Sequence, residues 1–181
     1  RRLAPAIEWT QGTADSLPFP EQSFDAVVSQ FGLMFFPDRE KALREMLCVL
    51  VSGGDLAVAL WDSLDNIPAI AGEVTLLERS AGAHAAAALR APFVLGEKST
   101  LVPLAQTAGV ASVEVTTHEG RATFPSIRAL VEADLRGWLP VMGVILTEDQ
   151  IDRILREAED VLGPWVAENG QVVFDSPAHI V

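Results

Sequence analysis

Apolar residues follow two different periods along the first two-thirds of the chain, and the two periods alternate. Short runs rich in β-branched residues predict strands at Ile7–Gln11, Phe24–Gln30 and Asp55–Trp61. The third run is apolar at almost every position, which is typical of a strand buried on both faces of a parallel sheet. Between the first two runs, Gly12–Gln22 contains glycine, serine and two prolines, so we predict a loop there.

Helical spacing separates and follows these strands. Asp38 is the expected N-cap of a first helix, and Gly53-Gly54 is the expected end of it. Ser126–Trp138 reads as a later helix, and Thr147–Gln150 resembles the capping box that begins another. The apolar positions with helical spacing are Leu43, Met46, Leu47, Leu50, Ile67, Ile70, Val74, Leu77, Leu101, Leu104, Ala105, Ala108, Ile151, Ile154, Leu155, Ala158 and Leu162.

Two further strands are predicted late in the chain, at Val113–Thr123 and at Gln171–Ile180, the second interrupted by Pro177. Strands that alternate with helices indicate an α/β fold with a parallel sheet. The chain has no repeat and no linker, so we expect residues 1–181 to form one domain with a helical insertion around residues 125–170.

Composition narrows the classes of protein that the chain fits. The net charge of −12 argues against a nucleic-acid partner and disfavours an anionic membrane surface. A single cysteine, Cys48, forms no disulfide within the chain and fits a reducing, cytoplasmic setting, where we expect it as a small buried apolar residue. The histidines are scattered, so we expect no metal site. No apolar run reaches the roughly 18–20 residues that span a bilayer.

An ordered set of short motifs gives the strongest functional signal. The segments are Gly12–Pro20, Ser23–Phe31, Phe36–Asp38, Ala42–Met46, Gly53-Gly54 and Leu104–Val110. Together they resemble the type 11 class I S-adenosylmethionine-dependent methyltransferases, the ubiquinone and menaquinone biosynthesis type, which have a G-D-A-E-x-L-P-F segment, then S-F-D-x-V, then R-V-L-x-P-G-G before a buried strand. The resemblance implies a Rossmann-like sheet of parallel strands with an antiparallel C-terminal strand, and S-adenosylmethionine as cofactor.

The resemblance assigns the loop after the first predicted strand to the adenine. A loop at the carboxyl end of a parallel strand is where open α/β sheets bind ligands. Ala14 would offer its backbone N–H, and Leu17 would pack on the ring. Thr13 replaces the family's usual aspartate, and Asp15 is a second candidate for that acceptor, or a residue that caps the turn.

The end of the second predicted strand would lie beside the sulfonium and the incoming acceptor atom. The residues there are Ser29, Gln30 and Phe31. Aromatic rings suit a sulfonium cation, and Phe31, Phe35 and Phe36 are candidates, with core packing as the alternative for the last two.

The acceptor pocket is expected to include Phe35, Trp61 and Trp138, with Trp165 as a further candidate, although tryptophans at helix ends also serve packing alone. The sequence does not identify the catalytic residue, because no side chain stands out as a general base. His118 is a candidate only as the one histidine on a late strand near the expected site. We expect a small-molecule acceptor.

The family begins with a strand, a glycine-rich turn and a second strand ending in an acidic residue, and nothing before Gly12 matches these. We therefore expect an N-terminally truncated chain that lacks the glycine-motif half and is inactive alone. We also expect it to self-associate as a homodimer, either through the Phe24–Gln30 edge or by exchange of Arg1–Gln11 between copies. Two alternatives stay open: a non-catalytic binding or assembly module with a degenerate methyltransferase fold, and a fragment of a nicotinamide-dependent oxidoreductase.

Overall fold

The structure, a computed structural model, describes residues 7–181. They form alternating strands and helices around a four-stranded sheet, with a two-stranded ribbon beside it. Short 3-10 turns link several elements, and Ala133–Trp138 forms a π-helical turn between two short helices. The elements are β1 (Phe24–Gln30), α1 (Arg39–Val49), β2 (Leu50–Trp61), α2 (Pro68–Ala81), α3 (Ala83–Arg90), α4 (Lys98–Thr107), β3 (Thr116–His118), β4 (Arg121–Phe124), α5 (Ile127–Glu132), α6 (Leu139–Val141), α7 (Glu148–Leu162), β5 (Val172–Asp175) and β6 (Ala178–Ile180).

The four-stranded sheet has the order β1-β2-β6-β3. β1 and β2 are parallel, and β6 runs antiparallel to both β2 and β3. The sheet is therefore mixed, as the resemblance implied: parallel strands followed by an antiparallel C-terminal strand. The α/β prediction is confirmed.

Local signals placed two helix starts correctly. The Asp38 side chain accepts a hydrogen bond from the Lys41 backbone N–H at 2.9 Å and caps α1. Thr147 and Gln150 form the complete capping box at the start of α7. Both caps satisfy N–H groups that the first helical turn leaves without partners.

The strand predicted at residues 7–11 is wrong for the described structure. These residues are irregular and exposed, and Ile7 and Trp9 are each 53% exposed. A strand needs a neighbouring strand to form a ladder, and among the described residues the sheet ends at β1. Residues 1–6 lie outside the described part of the chain.

The Gly53-Gly54 pair lies inside β2 and does not end a helix. α1 already ends at Val49, and β2 begins at Leu50. The register with β1 shifts between the pairs Phe24–Leu50 and Ala26–Asp55, and Gly53 lies at φ +81° within this bulge. A Cβ on Gly54 would come within 2.8 Å of the Asp25 carbonyl oxygen, so the strands approach closely there.

The two late strands are each divided between the sheet and the ribbon. The predicted Val113–Thr123 strand becomes β3 and β4, with Gly120 between them, and the predicted Gln171–Ile180 strand becomes β5 and β6. β3 pairs with β6, whereas β4 pairs with β5. At the crossing point the Ser176 N–H donates to the Gly120 carbonyl oxygen at 2.8 Å, and a Cβ on Gly120 would meet the Ser176 oxygen at 2.3 Å.

The buried apolar residues form two clusters. The larger one packs α2, α3, α5 and α7 together with the ribbon. The smaller one lies between the sheet, α1 and α4. Cys48 belongs to neither, because its side chain is exposed on α1, contrary to the expected buried position. No helix within residues 7–181 combines the length and the apolar character needed to cross a bilayer.

Candidate active site

The carboxyl ends of β1 and β2 form the edge where an open parallel sheet binds ligands. The two strands are adjacent in parallel register, with Gln30 opposite Ala59. Phe31 follows β1 directly, and its N–H donates to the Ala59 carbonyl oxygen at 3.0 Å. Its ring stacks on Trp61 at the end of β2, with 4.2 Å between ring centroids and 16° between ring planes. The parallel pairing thus sets an aromatic pair at this edge.

Phe31 has an uncommon backbone conformation, with φ at +51°. A bulky residue in the left-handed region costs about 1–3 kcal/mol and persists only where the surrounding structure imposes it. Here the hydrogen bond to Ala59 and the stack on Trp61 hold the residue in place.

A cavity of about 440 Å³ opens beside the aromatic pair. Its walls come from the sheet edge, the turn after α3, the ribbon, α5 and the π-helical turn. A volume of this size falls in the roughly 300–1,000 Å³ range of small-molecule sites. The lining residues are Phe31, Phe35, Trp61, Ile70, Leu89, Pro92, Phe93, Ala122, Phe124, Leu130, Ala133, Asp134, Trp138, Phe174 and Ser176.

The structure brings together the residues that the sequence suggested for an acceptor pocket. Phe35, Trp61 and Trp138 all line this cavity, together with Phe31. The rings of Phe35 and Trp138 lie 5.4 Å apart, and the Trp138 indole N–H donates to the Ala88 carbonyl oxygen at 2.8 Å. Trp165, in contrast, lines a separate hollow beside the ribbon.

The predicted adenine loop forms a tight turn. The Ser16 N–H donates to the Thr13 carbonyl oxygen at 3.1 Å, and Ala14 lies half-buried within the turn. A hydrogen bond from the Thr13 side chain, with Lys41 nearby, lowers the pKa of Asp15, so this carboxylate is ionised near neutral pH. The Leu17 N–H already donates to Glu45 Oε2 at 3.0 Å.

The residues at the end of β1 point in different directions. Ser29 is buried, Gln30 is exposed, and among the described residues neither lines the cavity. Leu17 and Phe31 pack against the same smaller apolar cluster, and Phe36 does too. The predicted adenine loop and the end of β1 therefore pack against the same apolar cluster.

The sequence analysis did not single out two carboxyl groups of the helical region, those of Asp134 and Glu73. Asp134 lines the cavity from the π-helical turn, and burial raises its pKa to about 6. Glu73 of α2 is fully buried, and burial together with the charge of Asp134 raises its pKa well above the usual value. The sequence did contain a signal for Asp134. Leu130, Asp134 and Trp138 are spaced by four, which places Asp134 on the same helix face as the predicted pocket residue Trp138.

His118 has no place at this cavity. It is exposed on β3, where its Nε2 lies 3.1 Å from the Thr116 hydroxyl. The geometry therefore gives no support to His118 as the base.

Comparison with known proteins identifies the N-terminal part of the chain. Residues 1–58 match the model of the type 11 methyltransferase family, described as a methyltransferase domain. The ubiquinone/menaquinone biosynthesis C-methyltransferase UbiE of Cronobacter sakazakii is 48% identical over 52 residues, 29% of this chain and 21% of the relative. The corresponding protein of Hahella chejuensis is 52% identical over 60 residues, 33% of this chain and 24% of the relative. The matches thus span less than a quarter of the length of these curated relatives.

Solved structures extend the likeness of fold to nearly the whole chain. A protein from Anabaena variabilis, described as a methyltransferase from an antibiotic biosynthesis pathway, has a TM-score of 0.63 at 14% identity, covering 98% of this chain and 74% of that one. A Bacillus halodurans protein, described as a methyltransferase, has a TM-score of 0.55 at 18% identity, covering 96% of this chain and 75% of that one.

At these identities the solved structures establish the fold alone. The resemblance seen in the sequence is confirmed for residues 1–58, and the family that this segment matches implies S-adenosylmethionine as cofactor. The chain thus combines an N-terminal third that matches the type 11 methyltransferase family with a fold that it shares, over nearly its whole length, with solved proteins described as methyltransferases.

Proposed function

We propose that the chain is part of a cytoplasmic enzyme that transfers a methyl group from S-adenosylmethionine to a small apolar acceptor. The observation that supports this most directly is the Phe31–Trp61 pair at the carboxyl ends of two parallel strands, next to an apolar cavity of about 440 Å³. The family match of residues 1–58 supports methyl transfer as the chemistry, and the cavity is where we place the acceptor.

The residues present fit two parts of the cofactor. When bound, S-adenosylmethionine supplies an electrophilic methyl group on a positively charged sulfonium. The outer faces of Phe31 and Trp61 attract a cation by about 0.5–2 kcal/mol, depending on desolvation. At the loop, the ionised Asp15 is a hydrogen-bond acceptor for an exocyclic amine, Ala14 offers a backbone N–H, and Leu17 offers apolar surface.

Methyl transfer depends mainly on alignment, because the acceptor atom, the methyl carbon and the sulfur must lie in line. In this proposal Ser29, Gln30 and Phe31 fix the sheet edge at which the sulfonium lies. Phe35, Trp61 and Trp138 hold the acceptor and exclude water from it.

We further propose that these 181 residues bind the cofactor weakly by themselves. Residues 1–11 contain no glycine, so they offer no glycine-rich turn for the methionyl end of the cofactor. A longer chain that includes such a turn and an acidic ribose ligand is expected to bind it tightly.

Calorimetry with S-adenosylmethionine tests the loop assignment. Thr13→Asp replaces a neutral acceptor by a charged one and should tighten binding about five- to tenfold, since hydrogen bonds to charged groups are stronger by roughly 1 kcal/mol. Thr10→Asp adds the same charge nearby and should change little. If Asp15 has taken over the role, Asp15→Asn weakens binding instead. No effect from either loop variant, or micromolar binding by the unaltered chain, would show that the site lies elsewhere.

We also propose that the chain forms a homodimer through the outer edge of β1. Among the described residues β1 pairs with β2 alone, and Val28 is 71% exposed. An open edge of a β-branched strand presents backbone N–H and C=O groups to another strand.

A further inference from the structure

The apolar cavity contains one ionisable side chain among the described residues that line it, that of Asp134. The other polar lining side chain is the Ser176 hydroxyl, and the remaining walls are aromatic, aliphatic or proline. Asp134 lies in the π-helical turn Ala133–Trp138. Such turns are rare and occur frequently at functional sites.

Glu73 of α2 is the ionisable group on which Asp134 acts. It is fully buried, and neither of its carboxyl oxygens has a hydrogen-bond partner within the described structure. Burial, together with the charge of Asp134, raises the pKa of Glu73 well above its usual value, which favours the neutral acid. Asp134, which lines the cavity, is therefore the carboxyl group that exchanges protons with it.

Five arginines on the surrounding elements form ion pairs with carboxylates other than Asp134. On the π-helical turn itself, Arg136 binds Glu148 at 2.7 Å and approaches Glu132. The other four pairs are Arg79 of α2 with Glu157 of α7, Arg90 of α3 with Glu78, Arg121 of β4 with Asp175 of β5, and Arg128 of α5 with Glu132.

We propose that Asp134 is the proton acceptor of the methyl transfer, and that the acceptor molecule is an apolar compound whose single hydroxyl group reaches Asp134 inside the aromatic cavity. This inference rests on the proposed methyltransferase function. An apolar cavity with one convergent polar group selects a ligand with one polar group in the matching position.

The proposed step balances in atoms and charge. A lone pair of the acceptor oxygen forms a new bond to the methyl carbon. The bond between that carbon and the sulfur breaks, and its electron pair returns to the sulfur as a neutral thioether. The hydroxyl proton passes to an Oδ atom of Asp134, whose carboxylate becomes a carboxylic acid. A base that titrates near neutral pH suits this role.

Binding of a simple probe tests the assignment without any methyl transfer. The probe is 1-naphthol, with naphthalene as the matched compound that lacks the hydroxyl, each titrated into the chain by calorimetry at pH 5 and pH 7.5. The hydroxyl donates to an ionised Asp134 at the higher pH, so naphthol should bind about tenfold more tightly there. Naphthalene should bind equally at both values.

Three variants test whether the pH dependence of naphthol binding comes from Asp134, from Glu73 or from an exposed carboxylate. Asp134→Asn should abolish the pH dependence of naphthol binding and leave naphthalene binding unchanged. Glu73→Gln should retain the dependence, because Glu73 is neutral at both values, and Asp160→Asn, an exposed site on α7, should resemble the unaltered chain. If Asp134→Asn retains the dependence, if Glu73→Gln removes it, or if naphthol binds no better than naphthalene, the proposal is wrong. None of these outcomes involves S-adenosylmethionine, so the calorimetry with the cofactor decides the methyltransferase proposal separately.

Discussion

Glu73 shows how the position of a single residue determines its charge. Its carboxyl group is fully buried in α2 without a hydrogen-bond partner in the described structure. Burial raises its pKa, so the folded state binds more protons than the unfolded state does. The contribution of Glu73 to stability is therefore complete below the unfolded pKa of about 4.3 and is lost as the pH rises through the folded pKa.

Glu73→Gln keeps the shape of the protonated acid and removes its titration. We expect the free energy of unfolding at pH 8 to rise by about 1–3 kcal/mol, with little change at pH 5. Urea denaturation at the two pH values measures this. Asp134 titrates in both proteins and cancels from the comparison. Glu119→Gln, at an exposed position, should leave both values unchanged, and an equal loss at both pH values would mean that the Glu73 side chain has a favourable partner.

At the scale of elements, His179 fixes the short strand β6 in the middle of the sheet. Its Nε2 lies 3.0 Å from the Gly96 carbonyl oxygen and 3.2 Å from Asp62 Oδ1. Its Nδ1 lies 3.0 Å from the Thr117 hydroxyl on β3. With the proton on Nε2, the ring donates to the loop before α4 and accepts from β3. The buried histidine therefore connects three segments that meet at β6.

His179→Ala should lower the free energy of unfolding by about 2–4 kcal/mol. The change leaves a cavity and deprives the Gly96 oxygen and Asp62 of a donor. Thermal or urea unfolding measures the loss. His118→Ala on the adjacent strand β3 is the matched control, because that ring is exposed, and it should change stability by less than about 0.5 kcal/mol. Equal effects of the two variants would refute a special role for His179.

At the scale of the molecule, the open edge of β1 predicts association between copies. Sedimentation at low micromolar concentration should show a dimer. Val28→Lys places a charge on the edge strand, a common way in which natural sheets prevent edge pairing, and should shift the chain toward monomer. Val141→Lys is the control, because Val141 is 76% exposed but lies at a helix end. A monomer at every concentration, or dissociation by the control as well, would contradict an interface at β1.

The sequence by itself determined features whose causes lie within a few residues. The caps at Asp38 and Thr147 were predictable, because a side chain and a backbone N–H three positions away meet in any helix. The Phe24–Gln30 strand was predictable from its β-branched run. The motifs from Gly12 to Gly54 indicated a resemblance to the type 11 methyltransferases, and that resemblance implied the sheet and the cofactor.

Only the tertiary structure decided features that depend on residues far apart in the chain. Residues 7–11 have the alternation of a strand, but a strand also needs a neighbour, and pattern alone cannot supply one. The cavity brings Phe31 and Trp61 together with Asp134 and Phe174, and each of the first two residues is at least 73 positions from each of the last two. Burial, which sets the protonation of Glu73 and Asp134, exists only once these segments pack together, because a charge loses its hydration only when the surrounding chain excludes water.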